Sequence, residues 1–333
     1  VKTPSPSRGL VIAVVDPTTL LGRDLRAVLS ERAFPASRTL LFQTRSDEGL
    51  LTSDDDEAAF VAPISPDALE SVRVAFFCGK AADTARFLSR RTTDGCLAID
   101  LSGVRTGGTF VRPFEGPGSV PLPDGDLLLT YEPIAAVLAE AVSVVQRLAP
   151  VVGVTAAIDR PASELGKDAL DELFGQAIAL ARFESPPKEV FGAQSAFNVH
   201  VPPDTGDFEA RVAEDVARLI GRPLPVGLLS ARSGVFHGHF LRVELRTEGA
   251  APAAEAVRAA FRRSGAFEET DPANLAGPVD AAGRDETLLL HVAASGGSVR
   301  IGMAADHLRR TGAVMAVKLA EQAVRERGLL ADA

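Results

Sequence analysis

Covalent chemistry has few places to reside in this sequence. Its 333 residues include two cysteines and five histidines. Cys78 closes the apolar run Val72–Phe77 (VRVAFF), which reads as a buried strand. Ligands of open α/β sheets gather at such strand ends, so the thiol is a candidate nucleophile by position. A small thiol packed into a core is the commoner use. Cys96 begins the next strand, CLAIDL, and reads as core. The two cysteines have no metal-site spacing, and nothing in them points to an oxidising compartment. His237 and His239 flank Gly238 in GVFHGHF. In a regular strand they would share a face, and Gly238 is a place where the chain can bend and part them. The acidic run Asp54–Glu57 lacks the glycine and distal glutamate of a calcium loop, and reads as a solvated surface loop.

The elements that would position these groups begin at Leu10–Leu25, LVIAVVDPTTLLGRDL. An apolar, β-branched strand, a tight turn and a helix with Leu20, Leu21, Leu25, Val28 and Leu29 inward open a doubly wound α/β domain. The turn of such a unit normally cradles a pyrophosphate on glycine-rich backbone. Here Asp16, Pro17, Thr18 and Thr19 fill the turn and only Gly22 remains. Asp16 brings negative charge, and Pro17 has no N–H to donate. Arg38–Phe42 reads as the second strand. Arg45 and Ser46 after it suit a ribose 2′-phosphate, although a solvated loop arginine is the plainer reading. Further strands are expected at Leu127–Leu129, Pro225–Arg232, His239–Arg246 and Thr287–Ala293, and Gly153–Ile158 starts new material near the expected domain boundary. Helices are expected at Ala81–Arg91, Ile134–Leu148, Asp168–Arg182, Phe208–Ile220, Pro252–Ser264 (Pro252 at its first position) and Leu308–Arg327, which Gly328 stops.

Length suggests two domains. Hydrophobic content of 46% and charged content of 24% permit a sizeable core. The net charge of −9 leaves no electrostatic footprint for nucleic acid. The most apolar region, Ile134–Ile158, is broken by Glu140, Gln146 and Arg147 and falls short of a membrane span. Residues 1–9 read as a flexible lead-in rather than a signal peptide, so the expected location is cytoplasmic.

Several segments then fall into one order: the opening strand–turn–helix, GCLAIDLSG (Gly95–Gly103), SELGKDALDEL (Ser163–Leu173), SAFNV (Ser195–Val199), SARSGVFHGHF (Ser230–Phe240), DAAGRDE (Asp280–Glu286) and ADHLRRTGAVMAVKLAEQ (Ala305–Gln322). Together they resemble the aspartate-semialdehyde dehydrogenase family over essentially the whole chain after residue 9. AFFCGKAADTARFL, IDLSG and GAVMAVKLAE are similar to its USG subgroup, which keeps the fold while departing from the catalytic motif. The resemblance implies an α/β architecture: a Rossmann-like dinucleotide domain over 10–150, an α+β dimerisation and substrate domain over 151–303, and a C-terminal helix in 304–333 returning to the first domain.

That family works through a cysteine thiolate at a helix N-terminus, a histidine base, NADP and phosphate. The matching place here is LTYEPIAA, where Pro133 or a neighbour takes the nucleophile's position and Glu132 that of the preceding asparagine. Proline has no nucleophilic group, and Thr130 is the only aliphatic hydroxyl nearby. His239 fits the base. Arg232 fits the substrate-carboxylate arginine, Arg211 falls at or near a substrate-side lysine, and Arg105 is near the phosphate arginine but one place off. No glutamine precedes Ser163, where Asp159-Arg160-Pro161 stands in place of the acyl-positioning residue. Gly22, Thr18, Thr19, Arg45 and Ser46 are the remaining cofactor positions, with NADP the nucleotide if any binds. The expected protein is a catalytically inactive, homodimeric paralogue that acts as a scaffold or ligand-binding protein, with an unknown protein partner. The alternative is an NADP-dependent phosphorylating dehydrogenase of amino-acid biosynthesis with an unrecognised nucleophile.

Overall fold

The computed structural model describes residues 10–45, 50–54, 57–90, 95–111 and 121–330. The expected lead-in at 1–9, Ser46, and Asp55 and Asp56 of the acidic run lie outside them. The chain divides into two compact units, Val1–Tyr131 with Gly312–Ala333, and Glu132–Thr311. The division thus falls at Glu132, ahead of the helix that the sequence places before residue 150.

The first unit is a doubly wound sheet. Its elements are β1 (Leu10–Val15), α1 (Leu20–Glu31), β2 (Ala36–Gln43), β3 (Leu50–Asp54), β4 (Glu57–Pro63), β5 (Val74–Phe77), α2 (Ala81–Leu88), β6 (Leu97–Asp100), β7 (Thr109–Phe110) and β8 (Leu127–Leu129). The strand order is β3-β4-β2-β1-β5-β6-β8-β7. Every pair is parallel except β3 with β4, which is antiparallel. Strand alternation decides the two faces. Ile12, Val14, Val74, Phe76 and Ile99 pack with Leu25 and Val28 of α1, while Ala13, Val15, Ala75 and Phe77 pack with Phe87 of α2. Both faces are covered, which is why β1 and β5 are apolar throughout.

The turn after β1 is held by its own side chains. Thr19 caps α1, its hydroxyl accepting from Gly22 N (3.0 Å) and facing the carbonyls of Asp16 and Cys78. A Cβ on Gly22 would lie 2.6 Å from the Asp16 carbonyl oxygen and 2.8 Å from Pro17 Cα. These are backbone atoms with no room to yield. Gly22→Ala is therefore expected to lower stability by about 2 kcal/mol. An unchanged urea midpoint would contradict this packing.

The second unit is built on a mixed sheet. It contains α3 (Pro133–Gln146), β9 (Val151–Arg160), α4 (Lys167–Ala181), β10 (Val199–His200), α5 (Thr205–Ile220), β11 (Val226–Ser233), β12 (His239–Thr247), α6 (Ala254–Ser264), β13 (Phe267–Glu269), α7 (Pro278–Ala281), β14 (Thr287–Ser295) and β15 (Ser298–Ala305). The order is β10-β11-β9-β12-β15-β14-β13. Leu241, Val243 and Leu245 of β12 join Val154, Ala156 and Ile158 of β9 in one core with α3, α5 and α6. The alternate residues Arg242, Glu244 and Arg246 face away from it. Pro252 lies just before α6 rather than at its first position, because Ala253 is the capping residue.

A π-helical turn (Arg309–Val314) precedes the closing helix α8 (Met315–Glu326). Its Val317, Ala320 and Val324 belong to the first unit's core, and it contacts α1. An Arg32–Glu321 ion pair joins the two elements at 2.7 Å. Gly328 takes a left-handed φ of 63° beyond the helix end, as the sequence predicts for a stop.

Candidate functional site

The second unit gathers a group of buried charged side chains at one end of its sheet. Arg160 ends β9, and Arg232 pairs with it in register on β11. Two like charges side by side on one face repel. His239 opens the neighbouring β12, and all three are buried. What reconciles them is Glu164, on the 3-10 turn Ala162–Leu165 that follows β9. Its Oε2 accepts from Arg160 Nε at 2.7 Å and from Arg232 Nη2 at 3.2 Å. Its Oε1 lies 2.6 Å from His239 Nε2. Burial pushes the Glu164 carboxyl up, but His239, Arg160 and Arg232 outweigh it and hold the group well below its ordinary value. The ionised carboxylate accepts, so His239 Nε2 donates.

The shell around this centre completes the charge pairing. The Arg160 guanidinium makes a fork with Asp204 (2.9 and 3.3 Å) and lies 4.0 Å above the Phe208 ring. Arg232 Nη1 donates to the Pro161 carbonyl at 2.8 Å. The His307 ring stands edge-on to His239, with centroids 4.9 Å apart. Neither His307 nitrogen has a partner among the described residues, and burial, with His239 nearby, pushes its pKa down to about 4. Gly238, with φ +83°, presses its Cα face against the Pro278 carbonyl and breaks the alternation between His237 and His239. His237 therefore lies outside β12, yet close enough to His307 to add to its depression.

The nucleophile's expected place is at the start of α3. Pro133 occupies the first helical position, where its missing N–H costs nothing. Glu132 precedes it, its backbone N–H donating to Asp215 at 2.9 Å. Its half-buried carboxyl is raised to about 7 by burial and by Glu164 and Asp215, against the pull of Arg211 and Arg160. The Arg211 side chain, half-buried on α5, forms no hydrogen bond or ion pair among the described residues beyond this attraction. The structure thus brings together His239, Arg232, Arg211 and the Glu132–Pro133 pair. Glu164, Arg160, Asp204 and His307 carried no role in the sequence reading.

The remaining positions sit in the first unit. Thr18 is half-buried, and Thr19 and Gly22 shape the α1 cap. Ser46 lies outside the described residues. Arg45 Nε pairs with Asp83 of α2 at 2.5 Å. Arg105 stacks over Phe110, 4.8 Å from its centroid. The IDLSG motif closes a turn: the Asp100 carboxylate accepts from the N–H groups of Ser102, Gly103 and Val104. Both cysteines are buried, and burial, with Asp16 and Asp100, pushes Cys78 well above the ordinary thiol range.

A dinucleotide can be tested against the turn after β1. The Asp16 carboxylate accepts from Thr44 N (2.9 Å) and the Thr44 hydroxyl (2.8 Å). It lies so close to Gly79 that a Cβ there would meet its Oδ2 at 1.9 Å. The N–H groups of Asp16, Thr19, Gly22 and Arg23 already serve protein acceptors. A pyrophosphate would meet two carboxylates, Asp16 and Asp83, and few free donors. The residues present fit such a group poorly.

This pair of units has the aspartate-semialdehyde dehydrogenase fold. A solved structure of a probable aspartate-semialdehyde dehydrogenase from Pseudomonas aeruginosa superposes with a TM-score of 0.85 at 25% identity, over 96% of this chain and 99% of that one. No protein-family model matches the chain. Its relatives are distant: a USG-1 protein homolog of Azotobacter vinelandii is 27% identical over 96% of this chain and 99% of its own length. The aspartate-semialdehyde dehydrogenase of Rickettsia conorii is 24% identical over 94% and 97%.

Proposed function

We propose that this protein is a USG-like relative of aspartate-semialdehyde dehydrogenase that keeps the fold and does not run the reaction. The observation that carries the reading is that Glu132 and Pro133 begin α3, the position where the family resemblance puts the thiol. Covalent catalysis on an aldehyde needs a nucleophile that is ionised and reachable. Neither cysteine qualifies, since both are buried in the first unit. The carboxylates around the β1 turn argue in the same direction against NADP. The protein acts as a homodimeric scaffold or ligand-binding protein in the cytoplasm. Dimerisation is supported by apolar side chains left exposed on the second unit, among them Leu229 on β11, Phe174 on α4 and Val199 on β10. Among the described residues no helix is long and apolar enough to cross a membrane.

The test is direct. Purified protein is mixed with aspartate semialdehyde, NADP and phosphate, and NADPH is followed by absorbance. No rate above the enzyme-free mixture is expected. Turnover of roughly 1 s⁻¹ or faster, in the ordinary range of enzymes, would refute the reading.

A further inference from the structure

We propose that Arg160, Arg232 and His239 form a carboxylate-binding site whose resident ligand is the chain's own Glu164, so that a free carboxylate enters only when that side chain is withdrawn. The contacts are those of a bound ligand. One carboxylate takes a guanidinium donor from each of two arginines on one oxygen and an imidazole on the other. None of the three donors comes from the turn that carries Glu164. They lie on β9, β11 and β12, whose register would hold them together whatever anion lay between. Charge-assisted donors converging on a dry point are what a small carboxylate requires. Glu164 supplies it in cis, at an effective concentration no free ligand reaches.

Access comes from beside Arg232. A cavity of about 200 Å³ is lined by Arg232, Asp204, His200 and Leu165, the last being the residue after Glu164. His200 pairs with Arg232 across β10 and β11, and its Nδ1 is buried without a partner among the described residues. Formate or acetate fits this volume, and vacating Glu164 would extend it to His239. The proposal deepens the reading of the protein as inactive, because it assigns the retained arginine and histidine an occupant. It does not depend on whether the wild-type protein turns over.

The experiment compares wild type, Glu164→Ala and Glu164→Gln by thermal melting in sodium acetate or sodium chloride at equal ionic strength. Wild type should melt alike in both salts. Glu164→Ala should melt lower and regain roughly 5 °C in 0.1 M acetate over chloride, through binding to the folded state alone. Glu164→Gln should melt lower and show no acetate effect, because the amide still fills the space. An equal response of Glu164→Ala to acetate and chloride overturns the proposal, as does an acetate response in wild type. Should Glu164→Ala not stay folded, its refolding yield from urea is compared in the two salts. A higher yield in acetate supports the site, and equal yields overturn it. Turnover by wild type would sink the functional reading alone, whereas absence of rescue sinks only this one.

Discussion

Glu164→Gln is expected to cost about 3 kcal/mol of folding stability at neutral pH and to flatten the protein's acid sensitivity. The amide has the volume of the carboxyl but cannot neutralise Arg160 and Arg232, which lie side by side in register. Asp204 remains for Arg160, through two hydrogen bonds. Among the described residues Arg232 keeps the Pro161 carbonyl as its one side-chain hydrogen-bond acceptor, with the Asp204 charge farther off. A buried charge deprived of its counter-charge carries the full desolvation penalty, which makes this loss larger than that of any exposed pair. The sign with pH follows from the direction in which Glu164 is displaced. Burial raises it, and His239, Arg160 and Arg232 together pull it well below 4.5. Below about pH 4.5 the unfolded chain binds a proton there that the folded chain does not. The stabilisation is therefore complete above that pH and is lost as pH falls below it. Urea midpoints measured from pH 3 to 7 should converge for wild type and variant at the acid end. Parallel curves would show that Glu164 bears no special charge. Other depressed carboxylates, such as Asp204 and Asp83, tilt both curves alike.

The residues differ in how far sequence reveals them, and the reason is physical. β1 and β5 could be read because burial on both faces demands unbroken apolar, β-branched strands. β12 could be read because its sheet is covered on one face only, and Leu241, Val243 and Leu245 alternate with charges. The β3–β4 pair could not, because the acidic residues Asp54–Glu57 in the sequence between them read as a solvated loop. β15 (SVRIGMAA) passed unrecognised because Gly302 and small residues blur its alternation; Gly302 packs instead against the His291 Cβ, 3.3 Å from where a Cβ would stand. Arg232 and His239 were named from their motif. Glu164 was not, although it sits in a quoted segment. Its importance arises from the pairing of Arg160 with Arg232, which are far apart in sequence and neighbours only once β9 and β11 align. Asp16 was read correctly as negative charge in the β1 turn. That it spends its oxygens on Thr44 depended on where β2 ends.

Glu132→Gln should have the opposite effect to Glu164→Gln, stabilising the protein above neutral pH. Glu132 lies among Glu164, Asp215, Arg211 and Arg160, and burial and the two carboxylates raise it to about 7 from 4.5. Between these values the folded chain holds a proton that the unfolded chain releases. Stability therefore falls as pH rises from about 4.5 to 7 and stays lower beyond. The full difference corresponds to roughly 3 kcal/mol, and solvent screening at a half-buried carboxyl brings the expected gain to about 1–2 kcal/mol at pH 8. At pH 4, where the wild-type carboxyl is already protonated, the two proteins should melt together. The pair of substitutions separates charge from shape, because each replaces a carboxyl by an amide of the same size beside the same Arg160. One removes a carboxylate that the site needs, and the other removes a carboxylate that the site resists. If Glu132→Gln gave no gain at pH 8, the carboxyl would be solvated at the mouth of α3 rather than held against Glu164. The start of α3 would then be open to solvent instead of closed by a protonated acid.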